Sequence, residues 1–157
     1  MDSFRARPAV VCALVSSALT QIIAAQTRAP ETNGAETNRI AAQKYVRERL
    51  AFWQQRLALG DWGISVAFAR RDELKPKTLG AISWDKKKKS AVVYVMDSSE
   101  YQLPFQQMLD DMEFTVVHEL IHLELASVPR SEASRSNEEH AVNGIAEALL
   151  GLNRERQ

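Results

Sequence analysis

Between Pro104 and Pro129 lies the stretch that most narrows what this chain can become. Met108, Met112, Thr115, Val116, Leu120 and Leu123 recur there with a period near 3.6, which predicts a long helix reaching about Ser127. Val116, Val117, Leu120, Ile121 and Leu123 cover so much of its circumference that the helix has to be largely buried. The same turns nevertheless carry His118, Glu119 and His122. Burying two imidazoles and a carboxyl without partners costs several kcal/mol between them, so the fold has to bring something to them.

His118-Glu119-Leu120-Ile121-His122 has the HExxH spacing. Four residues place both imidazoles on one helix face, a turn apart, where two neutral nitrogens can reach a single zinc ion. Glu119 then lies close enough to polarise a water on that ion, and the chemistry expected is attack of hydroxide on a carbonyl, most naturally a peptide bond. Cys12 is the only cysteine, so a disulfide or a cysteine-based zinc ribbon cannot be built and any metal must use histidine and carboxylate. A zinc hydrolase needs a third protein ligand. A metzincin-type continuation would need Gly at 125 and His at 128, where this chain has Leu125 and Val128. Glu138, Glu139 and His140, at the start of a last helix expected from about Asn137 to Leu150 and closed by Gly151, are the remaining donors. Ser136-Asn-Glu-Glu139 also fits a capping box, in which the carboxylate bonds the helix start and holds no metal.

Glu139-His-Ala-Val-Asn143-Gly-Ile145-Ala146-Glu-Ala-Leu149-Leu150 resembles the E-x-x-A-N-x-F-A-x-x-L-L helix that follows HExxH in ImmA/IrrE-type metallopeptidases. It is also similar to the gluzincin arrangement of thermolysin, where an acid four residues after the ligand Glu orients a ligand histidine. The resemblance implies Glu139 as the third ligand, with Glu138 as the alternative, and Asn143 as a group that supports an imidazole from behind. It covers two helices, about forty residues. Val142 and Ile145 depart from the pattern, and Ile121 stands where a glycine often precedes the second histidine.

Around these helices the chain reads as one domain of 39–157. Ile40, Tyr45, Leu50, Trp53 and Leu57 outline an amphipathic helix that stops before Gly60. Three strand-like runs follow, Trp62 to Ala69, Thr78 to Trp84 and Ser90 to Met96, with Lys86 to Lys89 as a solvated hairpin tip. The expected fold is therefore α+β: an N-terminal helix, a small three-stranded antiparallel sheet, the HExxH helix and a C-terminal helix, compatible with a minimal gluzincin or SprT-like core. The third strand, Ala91 to Met96, is a candidate edge for pairing with an extended substrate. Trp53, Trp62 and Trp84 are expected in the core. Tyr94, Tyr101, Arg130, Arg135 and His140 are candidate donors to an oxyanion.

Residues 1–25, with Arg5 and Arg7 before an apolar stretch ending in Ile23-Ala24-Ala25, resemble a secretory signal and point to export, with a cytoplasmic chain as the alternative because Ser16, Ser17, Thr20 and Gln21 dilute the run. Residues 26–38 read as a flexible linker. Lys plus Arg and Asp plus Glu number 20 each, which gives no general attraction to polyanions, so nucleic-acid binding is not expected, nor a stable membrane span in the mature domain. The leading expectation is a zinc peptidase acting on peptide or protein. The alternative is a non-catalytic, zinc-stabilised regulatory or phage-associated module.

Overall fold

The computed structural model describes residues 32–129 and 132–156. The signal-like segment 1–25 and the first part of the expected linker lie outside the described residues.

The fold is α+β, with elements in the order α1 (Thr32–Arg56), β1 (Gly63–Ala69), β2 (Gly80–Asp85), β3 (Ser90–Met96), α2 (Phe105–Glu124) and α3 (Glu132–Arg154). Single 3-10 turns lie at Arg71–Glu73, Ser98–Glu100 and Leu125–Ser127. The helix α1 begins seven residues before the expected Arg39, inside the expected linker. Its polar first turns are tied by Arg39, which donates two hydrogen bonds to Glu36 at 2.7 and 2.9 Å.

The sheet is mixed rather than antiparallel, in the order β1-β3-β2. Four lysines are a short enough link to fold β2 back on β3, which gives the antiparallel pair Gly80↔Val95 through Asp85↔Ser90. The longer segment 70–79 instead carries the chain past the sheet, so β3 returns beside β1 in parallel register, Gly63↔Ser90 through Ala69↔Met96. This places β3 in the middle. The expected edge strand is thus paired on both sides; the edges are β1, which touches α1, and β2, which touches α2. Ala91, Val93 and Val95 alternate onto the buried face of β3, while Val92 and Tyr94 remain half-buried on the other.

The helices pack on that buried face, with α2 at the centre: it touches α1, α3, β2 and β3. Trp53 is fully buried, whereas Trp62 and Trp84 are half-buried and pack against the core from its margin. Helix α2 is pinned in rotation by Glu113, a buried carboxylate that accepts hydrogen bonds from Tyr45 at 2.6 Å, Arg49 at 2.6 Å and Trp53 at 2.7 Å, all from α1. With Glu113 turned to α1, the face bearing His118, Glu119 and His122 is turned towards β2 and α3. At the other end of α2, Lys86 of the hairpin tip donates to the carbonyl of Ala126, tying the β2–β3 turn to the helix terminus, where a cation is favoured. Lys89 pairs with Asp61.

Helix α3 starts earlier and ends later than expected. Ser136 and Glu139 lie inside it, which removes the capping-box reading, and it runs through Gly151 to Arg154. Serine and glycine are poor helix formers, but Val142, Ala146, Leu150 and Asn153 form a buried stripe at helical spacing, and packing overrides the local preference. No helix among the described residues is long and apolar enough to cross a membrane.

Candidate metal centre

Helices α2 and α3 bring His118, His122 and Glu139 together, the one such group of three potential ligands among the described residues. The two Nε2 atoms lie 3.0 Å apart. Oxygens of Glu139 lie 3.4 Å from Nε2 of His118 and 3.3 Å from Nε2 of His122. On a tetrahedral zinc with bonds of about 2.0–2.1 Å, neighbouring donor atoms are about 3.3 Å apart. The observed triangle fits that spacing.

What aims the two imidazoles is held at their far nitrogens. Nδ1 of His118 lies 2.9 Å from Oδ1 of Asn143, and Nδ1 of His122 lies 3.0 Å from Oε1 of Glu138. Both partners are acceptors, so each ring carries its proton on Nδ1 and presents a lone pair at Nε2. In that tautomer two lone pairs and a carboxylate converge, an arrangement that a cation among them would satisfy. Glu138 is thus placed behind His122, with a side chain 16% exposed, and Glu139, 50% exposed, turns to the shared centre. Asn143 lies one turn after Glu139, behind His118.

Burial lowers the pKa of His118, reinforced by the neighbouring His122, while Glu139 and Asn143 act in the opposite direction; the net effect favours the neutral ring, the form able to bind a metal. Glu119 is buried beside the cluster. Burial first, and then the negative charge of Glu139, push its carboxyl up to about 7, with Lys75 pulling the other way. A divalent cation would reverse that balance and favour the carboxylate.

These groups open on a cleft of about 490 Å³ between β2, α2 and α3, within the range of small-ligand sites. At Gly80 β2 comes close to α2. A Cβ there would sit 2.3 Å from Cγ2 of Thr115, 2.8 Å from the carbonyl of Tyr94 and 3.4 Å from a carboxyl oxygen of Glu119, so only glycine lets the strand approach. Phe114, Ile82 and Trp84 give the cleft apolar wall, and the lysines or arginines lining it are Lys75 and Lys77. Lys77 has a φ of 67°.

Of the candidate oxyanion donors, Tyr94, Tyr101 and His140 are not among the residues that line the cleft. Tyr101 lines a separate cavity of about 540 Å³ beside the first turns of α1, His140 is exposed on α3 away from the cluster, and Tyr94 is not among the cleft residues. Arg130 and the side chain of Arg135 lie outside the described residues. Sequence reasoning missed Gly80, Lys75 and Lys77. The available signal was a glycine three residues after Lys77, within the run expected as a strand, with Lys75 and Lys77 flanking Pro76 just before it. No protein-family profile matches the chain, and no curated protein or solved structure matches it either.

Proposed function

We propose that this chain is a zinc-dependent peptidase, with His118, His122 and Glu139 as metal ligands and Glu119 as general base. One observation carries the reading: Asn143 and Glu138 engage Nδ1 of both rings, so both Nε2 lone pairs converge with the Glu139 carboxylate. A zinc ion held by these residues would lower the pKa of a bound water to about 7 and polarise a substrate carbonyl.

The protein's own groups supply the rest. Glu119 lies one residue from His118 on the same helix and takes a proton from the attacking water, which it then delivers to the leaving amine. Among the described residues β2 is an edge strand, and it runs along the cleft through Gly80, Ala81 and Ile82, where an extended peptide could pair with its outer side. Gly80 keeps that edge against the reacting carboxyl.

The test pairs metal analysis with hydrolysis of an unfolded protein substrate. The purified chain should hold one zinc, and Glu119→Gln should keep it while turnover falls by about 10²- to 10⁴-fold, the range of general-base catalysis. Hydrolysis fully retained in Glu119→Gln, or a chain that binds no zinc, would remove the proposal.

A further inference from the structure

The cleft is electrically lopsided. Lys75 and Lys77, both exposed, line it where the chain enters β2, whereas Ile82 and Trp84 line it farther along the same strand. Gly80, against Glu119, lies between the two ends. Among the charged residues lining the cleft, Glu119, Glu138 and Glu139 belong to the metal centre, so the lysine pair is the positive charge left for a substrate.

The geometry points to a preference for substrates carrying a carboxylate on the side of the reacting bond that faces Lys75 and Lys77, with an apolar residue towards Ile82 and Trp84. This rests on the peptidase reading. Exposed charges are screened over about 8 Å at physiological ionic strength, and an extended peptide advances about 3.3 Å per residue. Lys77 stands three residues before Gly80, which lies against Glu119, so the carboxylate is sought within about three residues of the cleaved bond. An Asp or Glu side chain and a C-terminal carboxylate offer the same chemistry there. Lysine, a flexible point charge, suits either source and imposes no bidentate geometry.

The experiment uses the zinc-loaded full chain in two forms. The wild type reports kcat/KM on a peptide series in which one Asp, or its neutral counterpart Asn, is walked across three positions on each side of the cleaved bond. The Glu119→Gln protein reports the affinity of the same peptides by calorimetry, without turnover. Asp should be favoured over Asn by about fivefold on one side only, as two exposed charge pairs would give. The preference should shrink in high salt and reverse in Lys75→Glu/Lys77→Glu; Lys75→Gln/Lys77→Gln should abolish it with melting unchanged. Peptides ending in a free acid or an amide at the favoured position separate a terminal carboxylate from an acidic side chain. Equal treatment of Asp and Asn at every position, or a preference untouched in both lysine variants, overturns the inference while leaving the peptidase intact. Selective binding by Glu119→Gln with no hydrolysis by the wild type would sink the peptidase reading and leave the carboxylate site standing.

Discussion

Glu119 makes the metal-free protein less stable than it would be with a neutral side chain, and the size of that effect follows from its surroundings. Its carboxyl has an ordinary pKa of 4.5, and burial together with the charge of Glu139 raises this to about 7 in the folded chain. At about 1.4 kcal/mol for each tenfold change in proton affinity, the ionised form is about 3 kcal/mol less favourable in the folded protein than in the unfolded chain. Between pH 4.5 and about 7 the folded state holds its proton more tightly, so stability falls as pH rises through that window, and the loss is complete above it. Glu119→Gln removes the charge at nearly constant shape. The variant's stability relative to wild type should therefore increase by about 3 kcal/mol between pH 4 and pH 8, or about 10 °C in melting temperature for a domain of this size. Urea unfolding with a chelator present, at fixed ionic strength across that range, measures it. His118, whose pKa is lowered, works in the opposite sense, but it is present in both proteins and cancels in the difference. With saturating zinc the difference should shrink, because a cation favours the carboxylate. A gap between the two proteins that stays constant with pH would refute the reasoning.

Gly80→Ala should cost about 1–3 kcal/mol and lower turnover with little change in zinc content, since the added methyl forces β2 away from Thr115 and Glu119; urea unfolding and metal analysis check both. Glu138→Ala should weaken zinc binding by about 10- to 100-fold, with Glu138→Gln losing less because an amide oxygen can still accept from Nδ1 of His122; competition with a chromophoric chelator measures the affinities. Glu113→Ala should destabilise by about 3–5 kcal/mol, because it strands the Arg49 charge between α1 and α2, and equilibrium unfolding reads the loss directly.

Local signals were legible and distant ones were not. Helix α2 could be bounded from its apolar period and its flanking prolines, and the β2–β3 hairpin from its lysine turn, because each is decided by neighbours in sequence. The parallel pairing of β1 with β3 depends on the path of segment 70–79 across the molecule, which no residue pattern encodes. The polar start of α3 looked like a loop because Ser134 and Ser136 disfavour helix locally, while the stripe that holds the helix in place begins later, at Val142. At the candidate centre, the spacing of His118 and His122 implied a shared ligand, and the i,i+4 relation of Glu139 and Asn143 followed from resemblance. The division of labour between Glu138 and Glu139 did not. Adjacent residues on a helix differ by about 100° in direction, and only the crossing of α3 over α2 decides which one faces the centre and which one reaches behind His122.

Helix α2 alone offers two nitrogens, while the third donor and both groups that aim the rings come from α3. An ion at this place would therefore act as a clasp between two segments far apart in the chain. Each time the last helix lifted away, the clasp would lose a donor and both of its braces together. Cargo escape and opening of the C-terminal segment should then share one rate, and amide exchange along 136–150 should slow in step with the affinity of whichever cation is supplied.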